Sequence, residues 1–187
     1  RDAIYNPQDP NKPGYETIAI WGKQGSGKSN LLMQIGYWVF SDWDQVLRNI
    51  VFTPEEFVTF LDNIPEARRV PWLGWDDIGV HYSKWAFRTD VDLYESIGQV
   101  WDAIRTKANV IVVTKPDIED LPKNIRDNVT LEVFIGPNQM VEVRRWFKLP
   151  SIRSSRHSEL FKIPIEPVHP NNLYDVPIEV FKKYWDR

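Results

Sequence analysis

Three glycines within six residues, Gly22-Lys23-Gln24-Gly25-Ser26-Gly27, separate an apolar run at 17–21 (TIAIW) from a helical pattern at 30–40 (NLLMQIGYWVF). A short apolar run stopped by glycine reads as a buried strand. Glycine takes the left-handed backbone conformations that other residues avoid, so strand and helix can be joined by one tight turn. The order strand, turn, helix at the head of the chain argues against an all-helical or all-β fold. The same alternation continues downstream. Strands are predicted at 49–52 (NIVF), 70–75 (VPWLGW), 109–114 (NVIVVT) and 130–135 (TLEVFI). Between them lie three helical patterns. The first starts at Thr53, which can cap it, with Pro54 suited to the first helical position and Glu56 completing a capping box. The second covers 93–106, with Leu93, Ile97, Val100, Trp101 and Ile104 on one face, and the third is a short helix at 121–128. Such alternation predicts an α/β fold: a parallel sheet with right-handed crossovers and helices on both faces.

After residue 136 the pattern changes. The segments 140–147 (MVEVRRWF) and 159–165 (ELFKIPI) predict a C-terminal β-hairpin on the sheet edge, and 178–185 (IEVFKKYW) predicts a closing helix. Residues 1–16, which hold three prolines, read as an irregular leader. The expected organisation is a single domain, with a core at 17–136 and an extension at 137–187 packed on it.

Composition removes several classes of function. The chain has no cysteine, which excludes disulfides, thiolate metal sites and cysteine nucleophiles. His81, His157 and His169 lie too far apart in sequence to show a ligand spacing, so no metal site beyond one at a nucleotide is expected. No apolar run approaches the roughly 20 residues that cross a bilayer, and no signal-peptide pattern opens the chain. A cytoplasmic protein with no membrane partner is expected. The first residue is Arg1 rather than methionine, which leaves room for a segment upstream. A formal net charge of -3 argues against coating nucleic acid by bulk positive charge. Charge is uneven, however. Between residues 144 and 162, Arg144, Arg145, Lys148, Arg153, Arg156 and Lys162 face a single acid, Glu159, with Trp146, Phe147 and Phe161 interleaved.

The glycine turn matches G-x-x-x-x-G-K-[ST] over Gly22, Lys23, Gln24, Gly25, Ser26, Gly27, Lys28 and Ser29, with Asn30 next. The spacing has a physical basis. Glycines let the backbone wrap a phosphate with N–H groups turned inward, and the helix that follows presents its positive end. Lys28 can reach the β- and γ-phosphates, and the Ser29 hydroxyl can ligate Mg²⁺. Its position after a strand and before a helix is the context that the motif requires. An acidic partner belongs at the end of a neighbouring strand, and 70–77 (VPWLGWDD) supplies it. Asp76 is expected to hold Mg²⁺ through water, and Asp77 to orient or deprotonate the attacking water. Thr114, ending the fourth strand, stands where a polar side chain can sense the γ-phosphate. ATP and Mg²⁺ are the expected ligands.

GKQGSGKS, WDD and VIVVT occur in the order found in P-loop ATPases of the additional-strand class, which includes AAA+ and RecA-like enzymes, and the region 17–135 resembles that class. The resemblance implies a P-loop NTPase core whose phosphate-loop strand is flanked by the sensor strand, with the WDD strand next. It also implies an ATPase activated by assembly or by DNA, and a homo-oligomer, with a hexamer among the rings open to it. Two branches compete. Asp76-Asp77-Ile78-Gly79 is similar to the signature of AAA+ helicase loaders and replication initiators. In that branch Leu121-Pro122-Lys123-Asn124-Ile125-Arg126-Asp127-Asn128 resembles the stretch that carries a trans-acting arginine, with Arg126 as the nearest candidate. The other branch is the FtsK/HerA and viral genome-packaging ATPases. They carry an arginine finger near the end of the helix before the sensor strand, where this chain has Arg105, but place glutamine where Lys115 stands. Asp77 replaces the glutamate more often found at its position. The first reading is therefore an ATPase acting on DNA in replication initiation or helicase loading, of the compact kind found on viruses and plasmids, with a replication protein as a further partner. The second is a DNA translocase or packaging motor. A third is a nucleotide-dependent switch that binds a protein and hardly turns over. DNA contact is expected through Arg144, Arg145, Lys148, Arg153 and Arg156, with the aromatic loop 81–88 (HYSKWAFR) as a second candidate.

Overall fold

The structure is a computed structural model and describes residues 14–66, 68–78, 97–101, 104–137, 140–148, 156–161 and 176–187. Most of the expected leader, the aromatic loop 81–88, much of the helix expected at 93–106, and Arg153 and Lys162 lie outside those residues.

Five parallel strands form the centre of the sheet: β1 (Glu16–Gly22), β2 (Ile50–Val51), β3 (Val70–Trp75), β4 (Ala108–Lys115) and β5 (Leu131–Ile135). Antiparallel β6 (Val141–Lys148) and β7 (Arg156–Phe161) extend it as the expected hairpin, in the order β2-β3-β4-β1-β5-β6-β7. Because the central strands are parallel, their carboxyl ends share one edge. The turn after Gly22, the aspartates after Trp75 and the threonine near the end of β4 gather there for that reason alone.

Each face of the sheet has its own apolar layer. On one, α3 (Pro54–Asp62) and the helical residues 97–101 pack through Phe57, Leu61, Ile97 and Trp101 on Leu73, Trp75, Ile111 and Val113. On the other, α1 (Lys28–Phe40), α2 (Trp43–Arg48) and α5 (Ile178–Trp185) pack through Leu32, Met33, Val46, Val180 and Tyr184 on Ile18, Ile20, Val110 and Val112. The remaining short helix, α4 (Lys123–Arg126), lies between β4 and β5 in the chain.

Local differences from the expected elements have physical causes. Glu56 accepts from the Phe52 N–H at 2.7 Å instead of from that of Thr53, while the Thr53 hydroxyl caps as expected by accepting from Glu56 N–H at 3.2 Å. α2 was not anticipated, being a helix of 6 residues with little room for periodicity. Its signal is Asp42, whose carboxylate accepts from the N–H groups of Asp44 and Gln45. α1 begins at Lys28, inside the glycine turn, because Gly27 in a left-handed conformation is already its N-cap. Its apolar residues run nearly all round, yet it buries one face only and leaves Trp38 49% exposed.

Candidate functional site

Gly22 ends β1 with φ 150°, and a Cβ there would lie 2.4 Å from the carbonyl oxygen of Ile135. Only a residue without a side chain lets β5 finish this close to β1. Gly25 and Gly27 are different: both have open space around them, but φ of 79° and 93°. There the backbone conformation, not room, demands glycine. No side chain caps α1, and no acidic residue occupies its first turn. The positive end of the helix is thus left to an anion from outside. Ser26 Oγ, inside the loop, is buried and has no hydrogen-bond partner among the described residues. Lys28 Nζ donates to the carbonyls of Gly22 and Lys23, both at 3.0 Å, and so lies across the loop. Burial draws the pKa of Lys28 down, against the charges of Asp77 and Asp76. Lys23 and Gln24 are exposed on the turn, and Asn30 Oδ1 accepts from Gln34 at 3.2 Å, directed along the helix.

Opposite the loop, Asp76 is 3% exposed and ringed by hydroxyls. Thr114 donates to Oδ1 and Tyr184 donates to Oδ2, and the Ser29 hydroxyl lies close enough to act on the carboxylate. Burial pushes its pKa up, and the bonds from Thr114 and Ser29 oppose that shift. Asp77 is exposed in a left-handed conformation, φ 48°, which aspartate tolerates better than most residues. Its N–H donates to Thr114 Oγ1 at 2.7 Å. Thr114 therefore bridges the two aspartates through one buried hydroxyl, and it positions them whatever else it senses.

Gly22, Gly25, Ser26, Gly27, Lys28, Ser29, Asp76, Asp77 and Thr114 are thus brought to one edge of the sheet. Arg105 is not among them. Arg105 is exposed on a 3-10 turn that precedes β4, at the amino edge. Arg126 ends α4 and forms an ion pair with Glu119 at 2.6 Å. Arg145 is paired at 2.6 Å with Glu16, which also accepts from the Thr130 hydroxyl, and Arg144 lies 3.7 Å from Glu142. Lys148 and Arg156 are paired in the backbone register of β6 and β7. Two residues given no site role from sequence belong to the site's frame. Lys115 is buried, with Nζ donating to the Asp120 carbonyl at 2.7 Å, and Tyr184 reaches Asp76 from the far end of the chain. For Lys115 the signal is a cation closing a strand that is buried along its whole length; nothing local marks Tyr184.

The phosphate-loop strand β1 lies between β4 and β5, and the Asp76 strand β3 lies beyond β4. That strand order is the one that the sequence resemblance implies. No family model matches the chain. It is 26% identical over 110 residues to the uncharacterized protein ORF286 of Acidianus two-tailed virus, a match covering 57% of this chain and 38% of that relative's length. Among solved structures it is similar to the N-terminal domain of zonular occludens toxin from Neisseria meningitidis. That similarity has a TM-score of 0.31 and 16% identity, over 83% of this chain and 97% of the other.

Proposed function

We propose that the chain binds ATP with Mg²⁺ and hydrolyses it. The observation that carries this reading is the meeting of Ser29, on the first turn of α1, with the buried Asp76 at the end of β3, beside the Lys28 ammonium. A polyphosphate suits the glycine cradle, where Ser26 Oγ lacks a partner and the α1 amides have no side-chain cap. Magnesium suits the Ser29 and Asp76 oxygens, a hard-donor pair. When bound it would neutralise charge on the phosphates. The chain's own groups do the rest. Loop amides and Lys28 hold the phosphates, and Thr114 fixes both aspartates. Asp77, exposed and next to the cluster, orients the attacking water and accepts its proton.

The proposed setting is the cytoplasm, and the proposed substrate of the work is DNA, in replication initiation or helicase loading. Support comes from the Asp-Asp-Ile-Gly sequence and from the basic residues of β6 and β7. A DNA translocase or packaging motor is the second reading. One observation favours it: Arg126 already has a carboxylate partner, whereas Arg105 is exposed and has none among the described residues. Both readings are proposed to work as a homo-oligomer. ATP hydrolysis measured without DNA, with single strands and with duplex, across protein concentrations, is the test. DNA-stimulated hydrolysis with strand movement favours the motor, and stimulation without movement favours the loader. Hydrolysis indifferent to DNA and to concentration leaves the protein-binding switch. No ATP binding at all defeats all three.

A further inference from the structure

The closing helix makes one contact that its packing does not require. α5 is anchored by Val180 and Tyr184 in the apolar layer, by the Lys183–Asp44 pair at 3.0 Å, and by Arg187, which donates to the carbonyls of Leu47 and Ile50 and lies over the Phe52 ring. The Tyr184 ring also packs on Phe52, with centroids 5.2 Å apart. These contacts hold the helix without the phenol oxygen. That oxygen nevertheless donates to Asp76 Oδ2, where neither partner is open to solvent.

We infer that Tyr184 is a positioning residue for the metal-site carboxylate, acting through Asp76 and not on the nucleotide. The inference rests on the reading of the site as an Mg²⁺–nucleotide site. A carboxylate on a single side-chain bond can still rotate about its own axis. Thr114 holds Oδ1 only. A second donor on Oδ2, approaching from the opposite end of the chain, fixes the plane of the group. Both donors are neutral hydroxyls, so they orient the carboxylate without placing a positive charge beside it. An arginine in the place of Tyr184 would have neutralised it. A phenol is the uncharged donor long enough to reach from a helix packed on the sheet.

The test is Tyr184→Phe in the full chain, which keeps the ring on Phe52 and deletes only the donor. ATP affinity is measured by calorimetry in EDTA and again in Mg²⁺, and hydrolysis is followed against Mg²⁺ concentration. Metal-free ATP affinity is expected to match wild type within about twofold. Mg²⁺·ATP affinity is expected to fall about tenfold, and the Mg²⁺ concentration for half-maximal rate to rise by a similar factor, the order that one hydrogen bond to a charged group supplies. Lys183→Ala, which loosens α5 away from the site, is expected to change neither. Equal losses with and without Mg²⁺, or a Mg²⁺ response like wild type, would overturn the inference. A wild-type chain that binds no triphosphate overturns the reading beneath it, and that result is seen before any variant is made.

Discussion

Lys28 sits between two opposing influences: burial that disfavours its charge and two aspartates that favour it. Its ammonium donates to two backbone carbonyls of its own loop, which are neutral acceptors. Exchange of those for phosphate oxygens replaces neutral bonds with charge-assisted ones, which are roughly twice as strong. Lys28→Ala is therefore expected to lower triphosphate affinity by about 100-fold, given about 1.5–3 kcal/mol for each bond to a charged group, and to abolish turnover; equilibrium titration with nucleotide checks it. A second residue reports on folding alone. Burial pushes the Tyr15 phenol from 10.0 up to about 12, against the Thr17 hydroxyl bond and the charge of Arg69. The folded state thus holds this proton more tightly than the unfolded chain does. Its contribution is complete below pH 10 and is lost as the pH climbs to about 12. Two units amount to about 2–3 kcal/mol. Urea midpoints between those pH values should fall for wild type and fall markedly less for Tyr15→Phe.

At the scale of elements, β3 shows what an atypical strand is for. Its two tryptophans lie on opposite faces. Trp75 stacks on Phe57 of α3 at 4.3 Å and donates its indole N–H to the Phe52 carbonyl at 3.1 Å. Trp72 lies between glycines: a Cβ on Gly36 of α1 would come 2.9 Å from its ring, and one on Gly74 of β3 2.7 Å. Each glycine is matched to the same ring, so α1 approaches the sheet at the thickness of one indole. That fixes the height of the helix whose first turn carries Lys28 and Ser29. Gly36→Ala ordinarily gains about 1 kcal/mol in helix propensity. Here the added methyl meets a ring with no room to retreat, and overpacking of about 1–3 kcal/mol should exceed the gain. Chemical unfolding is expected to show a less stable protein; a stabilised one would mean that the indole can move aside. The sequence made the strand legible, with Pro71 exposed at its start where β2 does not reach. It did not reveal which face each tryptophan takes, because pairing a ring with two glycines from different elements is a property of three dimensions. Motif residues were legible for the converse reason: Gly22 to Ser29 are fixed by local backbone geometry. Tyr184 obeys no local rule, and its partner lies 108 residues away.

Across the whole molecule, the parallel sheet separates two edges. Loop, aspartates and threonine occupy the carboxyl edge, while Arg105 precedes β4 at the other, roughly 25 Å away at about 3.3 Å per strand residue. No movement within one copy brings that guanidinium to its own phosphate loop. A head-to-tail interface, however, sets one face of a subunit against a different face of the next, and repetition of it closes a ring. An arginine at the far edge is where such an assembly can use it, and among the described residues Lys28 is the loop cation on which Asp77 and Asp76 act. Arg126 would first have to leave Glu119, although an ion pair this exposed holds it by only about 0–1 kcal/mol. Mixing separates the two. Lys28→Ala keeps the arginine but has a dead loop; Arg105→Ala keeps the loop but lacks the arginine. Each alone should be nearly inactive, and mixed assemblies should recover hydrolysis at the interfaces where an intact loop meets an intact Arg105. If the mixture is no more active than the average of its parts while a Lys28→Ala and Arg126→Ala mixture recovers, the finger is Arg126, and the subunits must meet through α4 instead of the amino edge of the sheet.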